Sequence, residues 1–176
     1  MIAIIDTSAL ITLYMIDKVK NLNTLFSEVY IPLMVEKEFL KDDSNNRLDF
    51  LLNFYEENYW FKKCQIYQND IIAILLTNKK MDDGEREAIA QYKRIEIDLA
   101  IEEGRMSCII DEKVARKVAQ HMEVKVIGTL YLLARLHFEG FLDYPTEVNL
   151  LKKGRRYSEK NIEDAFEKVK FELGLN

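Results

Sequence analysis

The sequence predicts an α/β fold, a three-layer α/β/α arrangement with a central parallel sheet. Short apolar runs recur along the chain, and a segment with helical periodicity follows nearly every one. These runs are apolar throughout rather than alternating, as expected of strands covered on both faces. The chain has 176 residues, 48% of them hydrophobic and 31% charged, which suits one domain with a real core and a solvated surface. We therefore read residues 1–176 as a single domain, with C-terminal helices from about residue 144.

Ile2-Ala3-Ile4-Ile5 reads as a buried strand ending at Asp6. Thr7 or Ser8 can cap the helix that follows, which extends to about Lys18 with Leu10, Leu13 and Tyr14 on one face. Glu28 to Ile31 is a second strand, and Pro32 suits the first turn of the next helix, having no N–H to satisfy. Residues 46–61 are amphipathic and aromatic, and are expected to be helical. Cys64 to Tyr67 reads as a brief strand and 69–79 as another helix.

Asp82-Asp83-Gly84-Glu85 opens a helix to about Leu99, since carboxylates favour the positive end of the helix dipole. Met106 to Ile110 is a buried strand stopping at Asp111, and a helix runs from about Glu112 to His121. Val124 to Ile127 is the last strand, and Gly128-Thr129 leads into a helix through Phe138. Two further helices, about 146–152 and 158–173, complete the chain.

Cys64 and Cys108 sit among apolar or aromatic neighbours at no metal-ligand spacing, so two buried thiols in a reducing compartment are expected. No stretch approaches the roughly 20 apolar residues of a membrane helix. The start of the chain has neither a basic segment nor a long apolar run, and the expectation is a cytoplasmic protein with no membrane partner. A net charge of −5 argues against broad, non-specific nucleic-acid binding. It does not exclude a nuclease, because a carboxylate cluster adds negative charge that a bound cation offsets.

Parallel sheets bind ligands beyond the carboxyl ends of their strands, and acidic residues collect there. Asp6 and Asp111 close strands, with Glu112 following. Glu36 and Glu38 lie on the helix after the second strand, and Glu85 and Glu87 in the first turns of the helix opened by Gly84. Carboxylates gathered at one edge repel, and burial raises their pKa unless a cation compensates. Oxygen ligands without His or Cys favour Mg²⁺ or Mn²⁺ over zinc. Such a cation polarises a phosphodiester and lowers the pKa of a water. Each residue also has a purely structural reading. Asp6 and Asp111-Glu112 can cap helices, Glu85 or Glu87 can serve a helix dipole, and residues two apart on a helix face different ways.

The ordered motifs resemble the PIN-domain family. Ile5-Asp6-Thr7-Ser8-Ala9-Leu10-Ile11 is similar to its opening motif, and Tyr30-Ile31-Pro32 with Val35 and Glu38-Phe39 to its second. Asp83-Gly84-Glu85-Arg86-Glu87-Ala88-Ile89-Ala90 resembles the Gly-Glu-x-Glu-Ala-Ile segment of a prokaryotic branch. Ile109-Ile110-Asp111-Glu112-Lys113-Val114-Ala115-Arg116 resembles that branch's closing acidic motif. Val126-Ile127-Gly128-Thr129-Leu130, Leu150-Leu151 and Gly154 to Ile162 extend the likeness over nearly the whole chain.

The resemblance implies an acidic quartet of Asp6, Glu38, Glu87 (or Glu85) and Asp111. Asp6, Glu38, Glu85, Glu87, Asp111 and Glu112 are the candidate metal ligands for Mg²⁺ or Mn²⁺. It further implies a ribonuclease acting on single-stranded RNA or flexible loops, the toxin of a toxin–antitoxin pair with an antitoxin protein as partner, and a homodimer. There are two departures. Glu112 stands where Asp is common, which bears on the fourth metal contact. The 41–80 segment is long and aromatic, which bears on the substrate groove. The alternative reading is a PIN-like module that binds protein or RNA without cutting. An aspartate-nucleophile phosphotransferase is disfavoured, because position 8 is Ser8 and not a second aspartate.

Lys152-Lys153-Gly154-Arg155-Arg156 can grip phosphates or simply be solvated, and one of Lys113, Arg116 and Lys117 can steer RNA. Tyr59, Trp60 and Phe61 can stack bases or cover a partner, but packing inside the domain is the expected role. His121 and His137 have no ligand-type neighbour at metal spacing and are expected to take no part in catalysis.

Overall fold

The structure is a computed structural model that describes residues 1–41, 46–64, 80–102, 104–153 and 157–175, with only the backbone of Lys153. Among these residues the strands are β1 (Ile2–Ile5), β2 (Glu28–Pro32), β3 (Phe61–Cys64), β4 (Met106–Ile109) and β5 (Val126–Ile127). They form one sheet in the order β3-β2-β1-β4-β5, every pairing parallel. The helices are α1 (Thr7–Met15), α2 (Leu22–Leu25), α3 (Leu33–Phe39), α4 (Arg47–Glu57), α5 (Asp83–Asp98), α6 (Lys113–His121), α7 (Thr129–Phe138), α8 (Tyr144–Lys153) and α9 (Glu159–Glu172).

The period-2 geometry of β1 and β4 divides the core into two layers. Ala3, Ile5 and Ile109 face one side with Leu10, Leu13, Val35, Phe39, Leu133 and Val169. Ile4, Met106, Cys108 and Ile110 face the other with Ala88, Ile89, Tyr92 and Ala115. Helices thus cover both faces, the expected three-layer α/β/α arrangement. No helix among the described residues is long and apolar enough to cross a membrane.

The structure corrects several boundaries. Asp6, not Thr7 or Ser8, is the N-cap of α1, its Oδ1 accepting from the Ala9 N–H at 2.7 Å. That helix stops at Met15, short of Lys18, because Asp17 takes φ 54°, outside the helical region. A 3₁₀ turn (Val19–Asn21) and α2 follow, which the apolar pattern does not announce. Pro32 ends β2 and caps α3 rather than occupying its first turn.

The helix expected over 46–61 ends at Glu57, and the strand expected at Cys64 begins at Phe61. Packing decides this. Trp60 and Phe61 are buried against Phe54, and the Val29 N–H donates to the Trp60 carbonyl, drawing the segment into the sheet. Base stacking is thereby closed to Trp60 and Phe61, while Tyr59 is exposed. The strand expectation beyond Cys64, the 69–79 helix and residues 154–156 lie outside the described residues.

Candidate active site

Parallel pairing brings the ends of β1 and β4 side by side, with Ile5 opposite Ile109 and the Asp6 N–H donating to the Ile109 carbonyl at 3.0 Å. Asp6 and Asp111 therefore emerge at the same sheet edge. Asp6 is 1% exposed. Its Oδ1 is spent on the α1 cap, and the Ser8 hydroxyl reaches both its oxygens at 3.1 Å. Burial pushes the Asp6 carboxyl up to about 8, the Asp111 charge and then Glu85 adding to the rise, against the Ala9 and Ser8 donors.

Glu85 is buried in the first turn of α5. It forms a capping box with Asp82, Glu85 accepting from the Asp82 N–H at 3.1 Å and donating its own N–H to Asp82 at 2.8 Å. Burial, then Asp82, and then Glu112 and Glu38 raise its carboxyl to about 7. Glu85 is thus electrostatically joined to Asp6, Glu38 and Glu112. Glu38, in the last turn of α3, accepts from the Thr7 hydroxyl at 2.5 Å and from the Gly84 N–H at 3.1 Å. These two bonds tie α3, α1 and α5 together at the edge.

Glu87, one of the expected quartet, is buried with its carboxylate on the backbone N–H groups of Leu33 (3.2 Å) and Met34. It supplies the side-chain cap that Pro32 cannot give α3. Burial raises its carboxyl, opposed by those N–H groups and by Lys37. Replacement by Ala leaves two part-buried N–H groups unsatisfied, at a cost of about 2 kcal/mol or more. A thermal melt of Glu87→Ala should show a drop of roughly 4–8 °C. An unchanged melting temperature would mean that the α3 cap is immaterial.

Asp111 accepts from the Thr129 N–H and hydroxyl, both at 2.7 Å, and from the Tyr157 phenol at 2.5 Å. Its carboxylate is held by three donors from the start of α7 and the approach to α9. Sequence reasoning missed Thr129 and Tyr157 as site residues. Tyr157 lies 46 positions from Asp111, and no local pattern could pair them. Glu112 is exposed and N-caps α6 with no side-chain bond. Glu36 turns away, bound to the Tyr55 hydroxyl at 3.1 Å and Lys63 at 2.8 Å. His121 and His137 engage nearby backbone, Lys117 and Leu142 respectively. Neither cysteine is in a disulfide. Cys108 is buried and Cys64 partly so, with burial raising the Cys64 thiol to about 12.

Among the described residues no three carboxylate, Cys or His side chains form a ready-made metal cage. Mg²⁺, however, commonly keeps several waters and takes one or two carboxylates plus substrate phosphate. Asp6 fits such a role. It is a buried carboxylate that has no cationic partner among the described residues and faces other acids, so ionising it at neutral pH calls for an added cation.

The PIN-domain family model matches residues 2–170, almost the entire length. The chain belongs to the PIN-domain family. A comparison with curated proteins gives no match. The sheet edge of this PIN domain carries Asp6, Glu38, Glu85 and Asp111, and the family is generally one of nucleases that use divalent metals.

Proposed function

We propose that this PIN domain is a divalent-metal-dependent ribonuclease that hydrolyses phosphodiester bonds in RNA. Asp6 carries the reading, as a buried acid beside Asp111 and Glu85 with no cation among the described residues to balance it. Asp6, Asp111 and Glu85 would hold Mg²⁺ or Mn²⁺, with Glu38 and exposed Glu112 at the rim. We favour Glu85 over Glu87 because Glu87 is committed to the N-terminus of α3. Such a cation supplies neutralisation of phosphate charge and activation of water near neutral pH. The Ser8 hydroxyl orients Asp6, Thr129 and Tyr157 orient Asp111, and Thr7 with the Gly84 N–H orients Glu38. The family likeness further supports a toxin role, with an antitoxin protein and a second copy of the chain as partners.

The test is incubation of mixed single-stranded and structured RNA with purified protein in Mn²⁺, Mg²⁺ or EDTA. Cutting is expected with metal and not with EDTA. Glu85→Gln should lower it about 100-fold, since even second-shell changes at metal sites cost 10- to 100-fold. No cutting with either metal would sink the nuclease reading. It would favour a binding module, for which Glu87 and Asp111 speak because each carboxylate already has a structural task.

A further inference from the structure

We propose that Arg116 is the residue of this site that grips the RNA phosphate, its guanidinium donating to phosphate oxygens beside Asp111. This rests on the reading of the edge as an RNA site. Arg116 lies, partly buried, in the first half of α6, the helix that follows Asp111 and Glu112. A Cβ placed on Gly128 would lie 3.0 Å from Arg116 Nη1 and 3.3 Å from Asp111 Oδ1. Guanidinium and carboxylate thus flank the same point at the start of α7, and a glycine there leaves room for both.

The guanidinium is nevertheless uncommitted. Among the described residues Arg116 makes no ion pair or hydrogen bond through its side chain. Glu112, one helical turn earlier, is at the spacing of an i,i+4 partner but forms no such pair. Asp111, held by Thr129 and Tyr157, forms no ion pair with the guanidinium either. A planar fork with unspent donors, partly desolvated beside a carboxylate, matches a phosphate's oxygens in bidentate fashion. It also answers the electrostatic problem that a chain of net charge −5 poses to a polyanion. The exposed Lys113 and Lys117 on the same helix remain in solvent.

The experiment is fluorescence anisotropy of a labelled single-stranded RNA across a salt series, in an Asp6→Asn background so that the strand stays intact. Adding Arg116→Ala should raise Kd about 10-fold or more, the worth of a charge-assisted pair. The log Kd against log salt slope should shrink by about 0.7, one phosphate contact on a single strand. Arg116→Lys should recover the slope but only part of the affinity, because the charge returns without the fork. Gly128→Ala, which crowds the guanidinium, should weaken binding in the same direction, and Lys117→Ala should change it less than about 3-fold. Equal Kd and slope with and without Arg116, or no RNA binding by the background protein at any salt, would overturn the inference. RNA held through Arg116 by a chain whose native form cuts nothing with metal would leave the inference standing and remove the nuclease reading.

Discussion

Asp6→Asn is expected to abolish cleavage and, in EDTA at pH 8, to make the protein more stable. The two effects share one cause. Asn is as good an N-cap as Asp, so the bond from the Ala9 N–H survives. What disappears is a buried negative charge facing Asp111 and Glu85. Burial and the neighbouring acids hold the folded Asp6 carboxyl up at about 8, against its ordinary value of 3.8. Between those values the folded state holds a proton that the unfolded chain releases, so native stability falls as pH rises. The stability is fully present below about pH 4 and is lost through pH 8. The shift sets a ceiling on the order of 5 kcal/mol, and relaxation and water entry reduce it. We expect the Asn variant to gain roughly 5 °C over the native chain at pH 8 in EDTA, and much less at pH 4. Metal should reverse the order. Mn²⁺ at about 100 times its Kd stabilises by about 2.7 kcal/mol, and only the protein that still has Asp6 should respond fully. Cleavage should drop at least about 100-fold. Melts in EDTA and Mn²⁺ across this pH range decide the matter. Parallel pH profiles for the two proteins, or an Asn variant that gains as much from Mn²⁺, would refute the cation reading of Asp6.

Much of this edge could be read from the chain because it follows from local rules. Apolar runs ending in Asp6 and Asp111 locate two strand ends, and parallel topology puts them at one edge. Gly84 between acidic residues announces the start of α5. That Glu87 rather than Glu85 caps α3 is not legible in the sequence, since Glu87 reaches that helix from 53 and 54 positions away, and periodicity carries no such information. Tyr157 was hidden for the same reason. The end of α4 is hidden from the sequence because the helical periodicity of Leu51 and Phe54 runs on into Trp60 and Phe61, which tertiary packing draws to the sheet. Arg116 could be named from sequence as a cation near the edge. That it has no side-chain partner among the described residues depends on tertiary contacts, with Asp111 held by Thr129 and Tyr157 instead.

Gly84→Ala is expected to leave the fold standing and disable the site. On propensity alone the change favours α5 by about 1 kcal/mol. The added Cβ, however, would lie 2.5 Å from Glu38 Oε2 and 2.6 Å from Thr7 Oγ1. No real contact is that short, so the carboxylate and hydroxyl must move. Both are ends of side chains rather than backbone, and the core behind them, Val35 and Phe39 in α3 and Leu10 in α1, need not shift. The loss therefore falls on the Thr7–Glu38 bond and on the Gly84 N–H that Glu38 accepts. A shifted Glu38 need give up the equivalent of only one of these part-buried charge-assisted bonds, worth about 1.5–3 kcal/mol, so against the gain from propensity net stability should fall by about 1–2 kcal/mol. Activity should suffer more, because an ångström of displacement at a reacting centre can cost about 100-fold. Thr7→Val, which removes the hydroxyl without adding bulk, separates the parts. If Glu38 acts in the site, Thr7→Val should lower cleavage in Mn²⁺ by less than Gly84→Ala, with both proteins melting within a few degrees of the native chain. Native-level cleavage by Gly84→Ala would instead make Glu38 a tie between helices and leave the reacting edge to Asp6, Glu85 and Asp111.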